Sequence, residues 1–187
     1  MDFFLYIDFL ISEVSYYDKK ITKTISSTTV FSENNEYRYR LTRTWNESKS
    51  RGAIFMLNPS KANELKNDRT VCNVWNYFID NNFGSLDIVY LYAYMATDPK
   101  ELKNRNNNYE MHNNDCILSA ADQNDIIIVA WGSDSAKYVQ RKREVETILI
   151  PYESKLKCFQ DNEEKKPRHP RELAENLSLV TYSFMFI

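Results

Sequence analysis

Short apolar runs that alternate with segments of helical periodicity constrain the fold of this chain more than any other feature. The runs lie at 53–57, 87–94, 125–131 and 156–159, and the first, AIFML, contains no polar residue. An unbroken run of this length suits a strand that is buried on both faces of a parallel sheet. The alternation therefore predicts an α/β fold: a three-layer α/β/α sandwich with a central four-stranded, mainly parallel sheet and right-handed crossovers.

The segments between the runs carry helix signals. Asp68 is placed to cap a helix that extends to about residue 82, and its apolar residues recur at helical spacing: Val71, Val74, Trp75 and Phe78. Asp98 and Pro99 predict the start of a short helix. The later segments are predicted as an asparagine-rich loop at 104–108, a helix to about 121 and a helix from about 134 to 149.

An N-terminal β-hairpin is predicted from two strand-like segments, 21–31 and 37–45, that flank the polar residues 33–36. Simple alternation places one set of side chains on one face and a second set on the other: Tyr37, Tyr39, Leu41 and Arg43 against Arg38, Arg40, Thr42 and Thr44. We interpret the hairpin as part of an extension over about 1–50 of a single domain that spans 1–187. A chain of 187 residues with 43% hydrophobic content is long enough for one well-filled core.

Several classes of protein are disfavoured by composition. The apolar stretch 3–11 is interrupted by Asp8 and is far shorter than the roughly 20 residues of a spanning helix, so we expect a helix or strand packed on the core and no membrane contact. The three cysteines are widely spaced without a CxxC pair, which favours reduced thiols in the cytoplasm and argues against a structural zinc. With three glycines and no GxGxxG or Walker motif, a nucleotide-cradling loop is not expected. We expect no cofactor and no metal.

The charge is unevenly distributed along the chain. The net charge is −2, yet segment 19–51 has eight basic and three acidic residues, and segment 137–171 has ten basic and six acidic ones. This polarity is compatible with a basic face that meets a phosphate backbone, through few contacts and with a modest salt dependence. A solvated surface is the alternative.

Polar residues follow three of the predicted strands. Asn58, Pro59 and Ser60 follow the first run, Gly132 and Ser133 follow the third, and 167–170, PRHP, follows the fourth and contains His169. The carboxyl ends of parallel strands meet at one edge of a sheet, where ligands bind in open α/β folds. We therefore expect these three loops to form one site.

The motifs MLNPS at 56–60, VAWGS at 129–133 and HPREL at 169–173 carry a resemblance. Together with LYAYMATDP they resemble a bacterial and phage family known only as a domain of unknown function. Their order in turn resembles that of the uracil-DNA glycosylase superfamily, over about 53–177. The resemblance implies a monofunctional DNA N-glycosylase of base excision repair, which flips uracil out of DNA and hydrolyses its N-glycosidic bond.

The resemblance also implies roles for single residues. Asn58 would position the attacking water, and His169 would bind uracil O2 and stabilise the departing base anion. The base pocket would be formed by Met56, Leu57, Pro59, Ser60, Tyr90 and Tyr92. The DNA contacts would come from Gly132, Ser133, Arg168, Arg171 and Leu173, with the leucine as a wedge in the base stack. The implied partners are uracil-containing DNA and a protein inhibitor of the glycosylase, and the implied state is a monomer.

Three positions depart from the glycosylase pattern. Tyr90 stands where an asparagine reads the uracil edge, and Ser60 stands where uracil-specific members carry a tyrosine that excludes thymine. Asn58 replaces an aspartate, which predicts slower water activation because an amide cannot take a proton. Tyr90, Tyr92 and Tyr94 alternate on the second strand and serve either core packing or stacking on a flipped base. Two alternative functions stay open: a non-catalytic DNA- or nucleotide-binding protein of the same fold, and hydrolysis of a free nucleoside.

Overall fold

A seven-stranded sheet with helices on both faces forms the described part of the computed structural model, residues 19–134, 136–173 and 177–187. The expectation for segment 3–11 lies outside these residues. The strands are β1 Ser26–Phe31, β2 Arg38–Thr44, β3 Arg51–Met56, β4 Ser85–Tyr90, β5 Ile126–Val129, β6 Leu156–Gln160 and β7 Ser178–Thr181. The α-helices are α1 Arg69–Asp80, α2 Asn107–Glu110, α3 Asn113–Gln123 and α4 Val139–Leu149, with 3₁₀ helices at Pro99–Asn104, Ile150–Lys155 and Pro170–Glu172.

The strand order is β1-β2-β4-β3-β5-β6-β7, and the four central strands are parallel. These four are the strands that the apolar runs predict. The predicted total of four is wrong, because β2 pairs antiparallel with β4 and β7 pairs antiparallel with β6. The hairpin is therefore an integral part of the sheet rather than an extension. β7 has only four residues, SLVT, and these are mostly exposed, so they lack the apolar run that marks the buried strands.

Some of the helices begin at a residue whose side chain caps them. Asp68 Oδ1 accepts the Val71 N–H at 2.9 Å, as the sequence predicts, and α1 buries its apolar stripe of Val71, Val74 and Phe78. Asp98 caps the 3₁₀ helix Pro99–Asn104 in the same way. Helix α4 begins at Val139 and not near residue 134, since Tyr138 before it has a left-handed backbone with φ of 58°.

Two apolar clusters fill opposite faces of the sheet. On one face α1 packs against alternate residues of the central strands, among them Ile54, Ile88 and Ile128. On the other face α3 and α4 pack against the intervening residues, among them Phe55, Val89 and Val129. The crossover from β3 to β4 and the crossover from β4 to β5 therefore lie on opposite faces.

A β-bulge in β2 overturns the predicted faces of the hairpin. In the pairing with β1, Val30 lies opposite Arg40 and Phe31 lies opposite Arg38, which leaves Tyr39 as the extra residue. The Tyr39 hydroxyl donates to the Tyr109 carbonyl, and Arg40 donates to Ser119 of α3, so both side chains lie on the α3 face of the sheet. Arg38 is turned to the α1 face, together with Leu41 and Arg43.

Three of the eight basic residues in segment 19–51 are buried or paired with a buried carboxylate and do not form an exposed basic face. Arg38 and Arg43 are buried, and Arg40 pairs with the buried carboxylate of Asp87. The cysteines Cys72, Cys116 and Cys158 are unpaired thiols. Among the described helices, none is long and apolar enough to cross a membrane.

Candidate active site

A cavity of about 530 Å³ lies at the carboxyl ends of the central strands. Its wall includes Met56 and Tyr90, the last residues of β3 and β4, and Gly132 in the loop after β5. The connection from β3 to β4 crosses one face of the sheet, and the connection from β4 to β5 crosses the other face. The gap between the carboxyl ends of β3 and β5 is therefore a topological switch point. Ligands bind at such points in open α/β sheets.

Most of the residues predicted for the site line this cavity. They are Met56, Leu57, Asn58, Ser60, Tyr90, Gly132, Ser133, Arg168, His169 and Arg171. The structure thus brings the loops after β3, β5 and β6 to one place. It also adds lining residues that were not predicted for the site: Arg38, Asp68, Arg69, Thr70, Val71, Ala96, Thr97, Pro99 and Asp134.

Three predicted residues lie elsewhere. Pro59 is buried under its loop, where its carbonyl accepts the Ala96 N–H at 3.0 Å. Tyr92 lines a second cavity of about 420 Å³, beneath the Arg105 guanidinium. Leu173 packs against the apolar cluster on the α1 face and is not among the residues that line the first cavity.

Asn58 is held in a single orientation. Its Nδ2 donates to the carbonyls of Ala96, at 2.7 Å, and Pro59, at 3.0 Å, which uses both amide hydrogens. The group that the side chain can still offer is the acceptor Oδ1. A water molecule that donates to this oxygen would be oriented by it.

His169 is oriented by its own turn. The backbone N–H of Arg171 donates to His169 Nδ1 at 3.2 Å, at the start of the 3₁₀ helix Pro170–Glu172. An Nδ1 that accepts a hydrogen bond carries no proton, so the neutral imidazole has its proton on Nε2. The neutral imidazole thus carries an N–H at Nε2, a group of the kind that stabilises developing negative charge.

The loop after β5 is shaped by Gly132 and fixed by Lys142. Gly132 has a φ of 99°, and a Cβ at this position would meet nothing within 4 Å, so backbone conformation rather than space favours glycine. Lys142, buried on α4, donates its Nζ to the Asp134 carbonyl at 2.5 Å. Burial lowers the pKa of Lys142.

The floor of the cavity contains a buried cation. The Arg38 guanidinium donates to the Ala62 carbonyl and to the Tyr90 hydroxyl, and both side chains are about 1% exposed. Burial also raises the pKa of Tyr90, so its phenol stays protonated near neutral pH.

Arginines surround the mouth of the cavity. Arg69 and Arg171 are exposed, and the half-buried Arg168 forms an ion pair with Asp161 at 3.3 Å. Asn73 of α1 donates to the Arg171 carbonyl at 3.1 Å, which fastens the His169 loop to the helix. In the described part of the chain, no three His, Cys, Asp or Glu side chains are grouped to hold a metal ion.

The missed lining residues differ in the signal that they leave in the sequence. Asp68 and Arg69 stand at a recognisable helix start, and a helix start beside a strand end is a common place for a ligand. Arg38 left no such signal, because only the bulge in β2 turns it toward the cavity.

Residues 38–171 match the model of a protein family described as "Protein of unknown function (DUF1643)". The match begins at Arg38 on the cavity floor and ends at Arg171 on its rim, so it spans every residue that lines the cavity. No curated protein and no solved structure matches the chain.

Proposed function

The chain belongs to the DUF1643 family, and from the geometry of its cavity we propose that it is a uracil-DNA glycosylase-like enzyme. It flips uracil out of DNA and hydrolyses the N-glycosidic bond, which leaves an abasic site. One observation carries the proposal: Asn58 and His169 line a single cavity that has a buried floor and an arginine-rich mouth. The three-layer arrangement typical of such enzymes is part of the proposal.

Asn58 supplies the group that orients the attacking water. In hydrolysis the electron pair of the glycosidic bond leaves with N1 of uracil, and the water oxygen bonds to C1′ of the sugar. One water proton ends on the released base. Asn58 Oδ1 directs the water but does not remove its proton, so departure of the base runs ahead of water attack.

His169 stabilises the departing base. Negative charge develops on the uracil ring as the glycosidic bond breaks, and the Nε2–H of a neutral imidazole can donate to its O2. Preorganised donors aimed at a developing anion are the largest single contribution in many enzymes. The Arg171 N–H, which occupies Nδ1, keeps the proton on the nitrogen that is required.

The arginines of the mouth serve base flipping. Extruding a nucleotide costs a few kcal/mol of stacking and pairing, which contacts with the flanking phosphates must offset. Arg69, Arg168 and Arg171 are the cations proposed to make these contacts, and Gly132 and Ser133 line the same cavity. Leu173, beside this mouth in the sequence, is the proposed wedge.

The enzyme is expected to stop at the abasic site. A lyase step requires an amine that forms a Schiff base with C1′ of the sugar. The side chains that line the cavity in the described part of the chain include four arginines and no lysine. The product strand therefore stays intact until alkali cleaves it.

A non-catalytic DNA- or nucleotide-binding protein of the same fold is the second candidate. One observation favours it: Asn58 donates both of its amide hydrogens to backbone carbonyls. This position therefore holds an amide, whereas a carboxylate here could act as a base. Such a protein would keep the cavity and its arginines and would bind without cleaving.

Alkaline cleavage distinguishes the two candidates. Purified protein is incubated with an oligonucleotide that contains one uracil, and with the same sequence that contains cytosine at that position, before alkali is added. The glycosylase yields uracil-dependent strand breaks, and breaks without alkali are not expected. Fluorescence anisotropy on the same oligonucleotides reports binding. Tight binding without breaks would favour the second candidate.

A further inference from the structure

Arg38 is a buried cation that has no carboxylate partner among the described residues. It is about 1% exposed, and none of the ion pairs of the described residues includes it. Its Nε is buried and has no hydrogen-bond partner in the part of the chain that the structure describes. A buried charge that is compensated only by a carbonyl and a phenol is costly, and a ligand that brings an acceptor would relieve this cost.

Tyr90 adds a second hydrogen-bond donor to the floor of the cavity. Its oxygen accepts from Arg38, so its own hydrogen remains to be donated. No hydrogen bond from this hydroxyl to another described residue is formed. Arg38 and Tyr90 therefore both present donors to whatever occupies the bottom of the cavity.

The surroundings suit a flat ring rather than a phosphate. Met56, Val71 and Ala96 are apolar, buried and line the same cavity, whereas the exposed Arg69 and Arg171 stand at its mouth. A nucleotide would thus enter with its base in the apolar interior and its phosphates outside. One of the two acidic lining residues, Asp68, accepts the Val71 N–H and so caps α1.

We propose that Arg38 and Tyr90 are specificity-determining residues that donate to a keto oxygen of the flipped base. The inference rests on the proposed function, since it assumes that the ligand is a base. Uracil offers O4 as an acceptor, whereas cytosine has an amino group there, whose hydrogens would face two donors. Bases with a keto group at this position, such as uracil, thymine and hypoxanthine, are accepted, and cytosine and adenine are rejected.

The test uses binding of free bases, which does not depend on cleavage. Calorimetry compares uracil with cytosine on the wild-type protein, on Tyr90→Phe and on Arg38→Met. Tyr90→Phe removes one hydroxyl and should weaken uracil binding about tenfold, as expected for one lost hydrogen bond in a closed site. Tyr77→Phe is the matched control, because Tyr77 packs on Phe159 away from the cavity. Arg38→Met should lose the preference for uracil over cytosine.

The outcomes separate this inference from the proposed function. Preferential uracil binding that Tyr90→Phe weakens supports the donor pair, even if no oligonucleotide is cleaved. Uracil-dependent cleavage by a protein whose Tyr90→Phe variant keeps full uracil preference would overturn the donor pair and leave the glycosylase intact. A wild-type protein that does not prefer uracil to cytosine also overturns it. Because Tyr90→Phe alters no charge, it keeps the test decisive even if Arg38→Met fails to fold.

Discussion

The backbone N–H of Arg171 donates to Nδ1 of His169 at 3.2 Å and thereby sets which imidazole nitrogen carries the proton. The contact is local, between residues two apart, and it requires the 3₁₀ turn that Pro170 begins. The same turn is tied to α1 through Asn73. The orientation of His169, the proposed anion-stabilising group, thus depends on the 3₁₀ turn Pro170–Glu172 and on the contact of this turn with α1.

His169→Ala should lower the single-turnover rate of uracil excision by about 10²-fold, the effect of removing one preorganised donor to a developing anion. DNA binding should change much less, since the arginines of the mouth are untouched. Rapid-quench assays with excess enzyme measure the rate. His112→Ala is the control, because His112 is exposed and away from the cavity. Equal rates for the two variants would remove His169 from the mechanism.

Asn58→Ala should also lower the single-turnover rate by about 10²-fold, since no other group is proposed to orient the water. The affinity for uracil-containing DNA should stay within about threefold, because Asn58 makes no proposed phosphate contact. Asn108→Ala, at an exposed asparagine of α2, provides the comparison. A rate unchanged by Asn58→Ala would show that another group orients the attacking water.

The four parallel strands were predictable because strands buried on both faces require uninterrupted apolar sequence, and Phe55, Val89 and Ile128 mark three of them. The meeting of Asn58 with His169 in one cavity followed from the same logic, since parallel strands share their carboxyl edge. Their chemical roles come from the resemblance and stay predictions.

Features that depend on register could not be predicted. The bulge at Tyr39 turns Arg38 into the cavity, and nothing in the local sequence distinguishes a bulged from a regular strand. Tyr90 and Tyr92 were placed on one face, but β4 ends at Tyr90 and Tyr92 reaches the second cavity. At this strand end, Asn113 of α3 donates to the carbonyls of Tyr90 and Leu91.

Salt dependence should report the arginines of the mouth. Each phosphate contact that is lost should reduce the slope of log Kd against log salt by about one. We expect this reduction for Arg69→Gln and for Arg171→Gln in titrations from low to moderate salt. Arg51→Gln should leave the slope unchanged, because Arg51 begins β3 at the opposite end of the sheet. If the slopes do not differ among the three variants, the phosphate contacts are made away from this mouth.

The stability of the protein should carry a pH dependence from Lys142. Burial lowers the folded-state pKa of Lys142 below its usual 10.5, despite the nearby Asp134 and Glu146. The unfolded chain therefore binds more protons in the window between the lowered pKa and 10.5, and stability rises with pH there. In urea unfolding, the free energy of unfolding of the wild type should rise with pH relative to that of Lys142→Met across this window. Lys49→Met, at an exposed lysine, should show none.

Leu173 has two possible roles, the proposed wedge in the base stack and simple packing, since its side chain contacts the apolar cluster on the α1 face. A substitution can distinguish them. If Leu173 fills the gap left by a flipped base, Leu173→Ala should slow excision from double-stranded DNA by about tenfold and much less from single-stranded or mismatched DNA, where unstacking is cheaper. If Leu173 only packs, the variant should lower the melting temperature and affect all substrates equally. Leu177→Ala, at a leucine that contacts the same cluster, provides the matched loss of packing. Substrate-independent defects of equal size in the two variants would exclude the wedge while leaving the assignment of His169 in place.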